Sequence, residues 1–127
     1  MSHDEFAPAE YKQLQQVTLI SGIVHLMGGV VLVLFGFLNC LATYGICCFM
    51  PFLGLPGLIL GPIEIMAALK LQRGEPVPYL GTTTILGLLV GVFTLNFFAV
   101  ILETFAMMSL NKPEVKAYLR DLEDERF

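Results

Sequence analysis

Three long apolar runs, separated by short polar stretches, dominate the chain. They cover residues 17–38, 44–71 and 79–110. A helix needs roughly 20 consecutive apolar residues to cross the hydrocarbon core of a bilayer, and each run reaches that length. A helix on the surface of a soluble domain shows water a polar face, which runs of this kind lack. The pattern predicts an all-α, polytopic transmembrane helical bundle.

The three runs predict three spans, of which the middle one is the least regular. Pro51, Pro56 and Pro62 interrupt the second run, and proline removes a backbone hydrogen bond from a helix interior. We therefore expect a kinked span over residues 49–71, preceded by an irregular segment. The alternative is a re-entrant hairpin or two short crossings in this run, the latter giving four crossings in total. The third run exceeds one crossing, so one end of its span is expected to project.

Polar segments flank the apolar region. Residues 1–16 form a polar N-terminal tail, residues 17–110 the transmembrane domain and residues 111–127 a charged C-terminal segment. In that last segment Asn111 is a suitable N-cap and Pro113 a suitable first-turn residue. The apolar side chains that then share one helix face are Val115, Tyr118, Leu119 and Leu122. The segment predicts a short amphipathic helix on the membrane surface or against a partner, with a solvated tail as the alternative.

Charge is scarce, and apart from Glu64 and Glu103 it lies in the flanks and in or beside the loop that contains Arg73 and Glu75. Charged residues make up 14% of the chain, against ~25% in soluble domains. The N-terminus carries Asp4, Glu5 and Glu10, unlike the positive start of a cleaved signal peptide, so the first run is expected to be a retained span. Three spans place the two tails on opposite faces of the membrane, with three Lys and Arg residues on one side and four on the other. Four crossings divide them six against one, which fits the positive-inside rule better.

Glycine recurs at helical spacing in all three runs. Small residues let membrane helices approach closely, and such packing drives their association in lipid. The positions expected to form helix-packing faces are Gly22, Gly29, Gly36, Gly57, Gly61, Gly87 and Gly91.

Two ionisable residues lie on these glycine faces. His25 follows Gly22 by three positions, and Glu64 follows Gly61 by the same interval. In antiparallel spans they lie about 10 Å and about 9 Å from the same end of the bundle, at ~1.5 Å per residue. The matched depths predict that the two side chains meet. A structural hydrogen bond is favoured over a proton- or ion-handling pair, and Glu64 reaching the headgroups near Lys70 is a further alternative.

The third run contains Glu103 and, two helical turns earlier on the same face, Asn96. We expect Glu103 to reach the interface and the threonines of this run to hydrogen-bond to their own helix. A polar seam between subunits is the alternative. Two histidines and the adjacent pair Cys47–Cys48 give no metal or redox motif, so the cysteines are expected to be buried small apolar residues.

The segment SLNKPEVKAYL, following IEIMAALKLQRG earlier in the chain, resembles small polytopic bacterial membrane proteins of uncharacterised function. The resemblance implies a multi-pass bundle in a bacterial inner membrane and transfers no functional residues. No catalytic constellation or phosphate loop is present.

The sequence therefore favours a non-enzymatic, cofactor-free membrane subunit or scaffold. Its expected partners are the lipid bilayer and further copies of itself or a larger complex, reached through the glycine faces, and not nucleic acid. The alternative is a small oligomeric ion channel or proton-coupled transporter that uses Glu64 or Glu103.

Overall fold

The computed structural model describes residues 6–46 and 48–125, and within them it contains helices and turns without strands. The helices are α1 (Ala9–Ala42), α2 (Leu55–Gln72), α3 (Leu80–Phe93), α4 (Phe97–Leu110) and α5 (Pro113–Asp124), with a short 3₁₀ helix (Met50–Gly54) before α2. The predicted all-α helical bundle is confirmed. The starting residues of the predicted N-terminal tail, Cys47 and the last two residues lie outside the described part.

Two helical segments are long and apolar enough to cross a membrane. One is α1, with 34 residues and a mean hydropathy of 2.3, and the other is Met50–Gln72, with 23 residues and a mean hydropathy of 1.8. At ~1.5 Å per residue both exceed the ~30 Å thickness of a bilayer core. The first helix starts at Ala9 and ends at Ala42, so it extends past both predicted bounds of the first span.

The proline-rich run folds into an irregular segment followed by one helix, as its main interpretation predicted. Pro51 lies in the first turn of the 3₁₀ helix and Pro56 in the first turn of α2, so only Pro62 lies inside the helix. Proline is favoured in a first turn because the backbone N–H there has no helical partner. The chain reverses before the 3₁₀ helix at Tyr44 and Gly45, both with positive φ.

The third apolar run is two helices, which corrects the prediction of a single span there. α3 and α4 have 14 residues each, or about 21 Å, which is less than the ~30 Å of a bilayer core. They form an antiparallel hairpin whose turn contains Leu95, with a φ of 53°. Asn96 then caps α4, because its Oδ1 accepts a hydrogen bond from the backbone N–H of Ala99 at 3.2 Å.

Glycine contacts hold α1 and α2 close together in antiparallel orientation. A Cβ built on Gly22 would lie 2.9 Å from the carbonyl oxygen of Gly61, and one on Gly29 would lie 2.8 Å from that of Gly54. Gly36 lies against the backbone of the 3₁₀ helix in the same way. These glycines therefore serve packing within one chain, where larger side chains would force the backbones apart.

The α3–α4 hairpin completes an up-and-down arrangement. α3 packs against α2 and α4, and α4 packs back against α1. Ser21 contacts Glu103, and a Cβ on Gly28 would lie 3.0 Å from the side-chain nitrogen of Asn96. The hairpin tip is therefore level with Gly28. We call the part of the bundle from the start of α1 to the level of Gly28 the polar half, and the part beyond that level the apolar half. In the apolar half, α1 packs against the 3₁₀ helix and the start of α2.

The C-terminal segment forms α5, which confirms the predicted amphipathic helix and shows what it covers. Val115 is buried, and the ring of Tyr118 lies 4.6 Å from that of Tyr11 near the start of α1. α5 thus docks on its own chain, and the described chain ends lie at the same end of the bundle. This corrects the prediction of tails on opposite faces. Asn111 is the C-cap of α4, and Lys112 is the N-cap of α5, so the predicted N-cap is one residue too early.

The two ends of the bundle differ in charge. The described Lys and Arg residues all lie at the end where α1 begins, and they are Lys12, Lys70, Arg73, Lys112, Lys116 and Arg120. The turns at the opposite end carry no charged residue in their described part. A disulfide joins Cys40 to Cys48 at that uncharged end. The prediction that these two cysteines are buried apolar residues is wrong, since both are half-buried and bonded to each other.

Candidate functional site

Three ionisable side chains from three helices meet inside the polar half. His25 of α1, Glu64 of α2 and Glu103 of α4 are each only 2% exposed. The Nδ1 atom of His25 lies 2.9 Å from Glu64 Oε2 and 3.8 Å from Glu103 Oε1. The contact between His25 and Glu64 that their matched depths predicted is thus present, and Glu103 is a second acid beside it.

The backbone of α3 sets the orientation of the histidine ring. His25 Nε2 lies 3.1 Å from the carbonyl oxygen of Gly87. A carbonyl oxygen only accepts hydrogen bonds, so Nε2 carries a hydrogen and donates it. The other ring nitrogen, Nδ1, therefore faces the carboxylates, and a proton held by either His25 or Glu64 completes their hydrogen bond.

Ser21 fixes the second acid. It lies one helical turn before His25, and its hydroxyl donates a hydrogen bond to Glu103 Oε1. The prediction that Glu103 reaches the membrane interface is therefore wrong, as is the alternative that Glu64 reaches the headgroups. Sequence reasoning missed Ser21, although its position four residues before His25 placed it on the same helix face.

The two carboxylates converge on a position without a side chain. A Cβ built on Gly87 would lie 2.6 Å from Glu103 Oε1 and 2.7 Å from Glu64 Oε1. Among the residues that the structure describes, none gives Glu64 Oε1 a hydrogen-bond partner. Two buried carboxylates beside one imidazole hold more negative charge than the ring can balance, so the cluster needs a proton or cation to be stable.

The arrangement differs from the triad that activates a serine nucleophile. In such a triad the serine and the acid contact opposite nitrogens of the histidine ring. Here Ser21 and Glu64 both face Nδ1, at 3.4 Å and 2.9 Å, while Nε2 donates to a backbone carbonyl. Ser21 also gives its hydrogen to Glu103. The geometry therefore suits cation binding rather than nucleophilic attack.

A polar stripe on α1 leads from the charged end to the cluster. Gln15, Thr18, Ser21 and His25 share one helix face and are all buried. Gln15 donates a hydrogen bond to the carbonyl oxygen of Leu71 at 2.8 Å, and within the described residues Thr18 Oγ1 has no partner. The stripe begins at an open pocket of about 530 Å³, which is lined by Lys12, Gln15, Gln16 and Gln72.

Beyond the cluster the interior is closed by backbone. A Cβ on Gly57 would lie 2.7 Å from the carbonyl oxygen of His25, and one on Gly29 would lie 2.7 Å from the backbone nitrogen of Leu58. No polar side chain is buried on α1 between His25 and Ala42 among the residues described. The cluster is thus approached by polar groups from one end only.

The remaining predicted residues lie outside the cluster. Asn96 is half-buried in the hairpin turn, two helical turns before Glu103 along α4, and it takes no part in the cluster. Gly91 packs across the hairpin, where its Cβ would lie 3.3 Å from that of Ala99. The threonines that hydrogen-bond to their own helix, as predicted, are Thr83, Thr84, Thr94 and Thr104.

An apolar groove opens on the outside of the bundle between α2 and α3. It has a volume of about 430 Å³, and its lining includes Pro56, Ile63, Leu86 and Val90. Large apolar side chains elsewhere on α1–α4 are also exposed. A surface of this kind is stable in contact with lipid or with another apolar helix.

No family model, curated protein or solved structure matches this chain. Fold and site define its class: a small helical bundle with two helices long enough to span a membrane and a buried acid–imidazole–acid cluster.

Proposed function

We propose that this chain is a small, non-enzymatic integral membrane protein that binds and passes a cation, in the simplest case a proton, at His25, Glu64 and Glu103. The observation that carries the proposal is the convergence of these three side chains, each 2% exposed, from three helices. An ionised carboxylate in a bilayer interior costs roughly 2.5–3.5 kcal/mol or more, so such groups are associated with ion or proton pathways.

A multi-pass position in the bacterial cell membrane is part of the proposal. α1 and Met50–Gln72 would cross the bilayer. The α3–α4 hairpin, too short to cross, would enter from the charged end and return to it, with its backbone packed against protein. The exposed apolar side chains of α1–α4 would face lipid.

Two independent features support one orientation in that membrane. The described Lys and Arg residues lie at one end of the bundle, and positively charged ends stay in the cytoplasm. The disulfide between Cys40 and Cys48 lies at the other end, and disulfides persist in oxidising compartments such as the bacterial periplasm. Both chain ends would therefore be cytoplasmic.

The route of the cation follows from the same asymmetry. The stripe formed by Gln15, Thr18 and Ser21 connects the pocket at the charged end to the cluster. Close glycine packing closes the interior on the far side. Passage across the membrane therefore requires a helix movement that opens this packing between α1 and α2.

Proton flux into liposomes tests this function. The purified protein is reconstituted, a potassium diffusion potential is imposed, and internal pH is followed with a dye. We expect uptake above that of protein-free liposomes and at least a tenfold loss in Glu64→Gln and Glu103→Gln, because each change removes an ionisable cluster group. Glu114→Gln, on an exposed position of α5, is the matched control and should retain full flux. Absence of flux, or equal flux in all variants, would contradict the proposal.

A role as a subunit of a larger complex is the second candidate, and the apolar groove between α2 and α3 favours it. Association through the glycines of α1 and α2 is not available, because these already contact each other. Native mass spectrometry in a mild detergent tests this candidate. A discrete oligomer of the unaltered chain that dissociates in Leu86→Trp would support the subunit role. Monomers of both the unaltered chain and Leu86→Trp would count against self-association.

A further inference from the structure

We propose that the cluster is a binding site for a divalent transition-metal ion, with the imidazole of His25 and the carboxylates of Glu64 and Glu103 as ligands. This inference rests on the proposed role of the cluster as a cation site and names the class of cation. No sequence motif could indicate it, because the ligands come from three helices and His25 and Glu64 are 39 residues apart.

The ligand atoms are close enough to share one ion. Each of the three residues offers one nitrogen or oxygen atom, and these atoms all lie within 4.8 Å of one another. Metal–ligand distances of about 2.0–2.2 Å for nitrogen and carboxylate oxygen require only small side-chain movements from this starting geometry. The ion would replace the proton between His25 Nδ1 and Glu64 Oε2.

The groups around these ligands match the surroundings of known metal sites. A metal-bound histidine usually donates its second ring N–H to a carbonyl or carboxylate, which fixes the ring and the free nitrogen. His25 does so with the carbonyl oxygen of Gly87, at 3.1 Å. Ligating carboxylates are in turn held by hydrogen bonds, and Ser21 supplies one to Glu103.

Charge and an unpartnered atom favour an ion of charge +2. Glu64 is 2% exposed, and its Oε1 atom faces no hydrogen-bond partner within the part of the chain that the structure describes. That oxygen points to the same Gly87 position as Glu103 Oε1. A divalent ion neutralises both carboxylates, whereas one proton neutralises one of them. A neutral site is the less costly one in a dry interior.

The donor set narrows the kind of metal. One imidazole nitrogen with carboxylate oxygens suits Zn²⁺, Fe²⁺ or Mn²⁺. Ca²⁺ and Mg²⁺ prefer oxygen ligands alone. Neither of the two described cysteines supplies a soft thiolate ligand to the site, since Cys40 and Cys48 are bonded to each other at the far end of α1.

Metal binding by the purified full chain in detergent tests the inference, with Co²⁺ as an optical probe and Zn²⁺ as competitor. We expect one Co²⁺ per chain, displaced by Zn²⁺. His25→Ala, Glu64→Gln and Glu103→Gln should each weaken binding at least tenfold. Ser21→Ala, which changes no ligand, should weaken it by roughly 10-fold, within the 10–100-fold range for groups that hold metal ligands. Glu114→Gln should bind like the unaltered chain.

The outcomes separate this inference from the proposed function. Absence of stoichiometric Co²⁺ and Zn²⁺ binding, or equal binding in all cluster variants, would overturn the metal site. Ser21→Ala keeps the interpretation clear if a ligand variant does not fold, because it removes one oxygen and leaves the ligands in place. Proton flux that depends on Glu64 without any metal binding would leave the proposed function standing. Metal binding without proton flux would support the metal site and contradict the proposed function.

Discussion

The polar and apolar halves of the bundle are held together by different kinds of interaction. In the polar half, four helices surround a few strong polar contacts, and His25 alone links three other helices through Glu64, Gly87 and Glu103. In the apolar half, α1 packs against the 3₁₀ helix and the start of α2 through glycine backbone contacts. One half depends on charge compensation, and the other depends on the absence of side chains.

This difference shows how a small bundle can place charge in its interior. Close glycine packing excludes water from the apolar half, while the polar half has enough helices to surround the cluster with hydrogen-bonding groups. The two halves should therefore respond to different substitutions. Two measurements separate them, and a third tests the topology on which both halves depend.

The largest effect is expected from His25→Ala, which leaves two carboxylates without their imidazole. Breaking one side of a buried charged pair costs roughly 3–5 kcal/mol, and thermal unfolding in detergent measures it. Glu64→Gln should also destabilise, and the double variant should lose less than the sum of the two, because the pair is in contact at 2.9 Å. Strict additivity would show that the two residues do not interact.

A smaller effect is expected from adding one methyl group to the apolar half. The Cβ of Gly29→Ala would lie 2.7 Å from the backbone nitrogen of Leu58, and overpacking of this kind costs roughly 1–3 kcal/mol. Gly81→Ala is the matched control, because nothing lies within 4 Å of a Cβ built there. It should stabilise the protein by up to about 1 kcal/mol through helix propensity. Equal effects at both positions would contradict the close packing of α1 and α2.

The smallest effect on stability is expected from single cysteines, each compared with a background in which Cys40, Cys47 and Cys48 are changed to serine and the disulfide is therefore absent. These variants test the topology directly. Phe6→Cys, Glu125→Cys and Ile46→Cys alter exposed positions, and such surface changes usually stay within ±0.5 kcal/mol. Impermeant maleimide should label the first two from the same face and the third from the other. Labelling of Phe6→Cys and Glu125→Cys from opposite faces would contradict the fold.

Much of the polar half was predictable from sequence because helix geometry converts residue number into depth. The contact between His25 and Glu64 followed from a rise of ~1.5 Å per residue and the antiparallel order of two spans. The amphipathic pattern of the C-terminal segment likewise predicted α5. These features depend on local periodicity, which a sequence displays directly.

The position of Glu103 was missed because one turn was missed. The third run contains no proline, and its glycines lie inside α3. The chain reversal at Leu95 is therefore not marked by a residue typical of turns. Asn96, a favoured N-cap type followed by an apolar stretch, was the available signal. Without the hairpin, Glu103 was placed near an interface instead of beside Ser21. The disulfide was missed for a similar reason, since it depends on the turn that brings Cys40 to Cys48.

If the protein occupies the proposed membrane position, the gathering of the described charges at one end has a consequence for how the chain would insert. α1 and α2 form one hairpin and α3 and α4 another. The short connections at their tips carry no charged residue in their described part. Each hairpin could enter the bilayer tip first as a preformed pair. Since moving Lys, Arg or Asp to a bilayer centre costs roughly 2.5–3.5 kcal/mol each, this route avoids that cost, and neither chain end would ever leave the side on which it was synthesised.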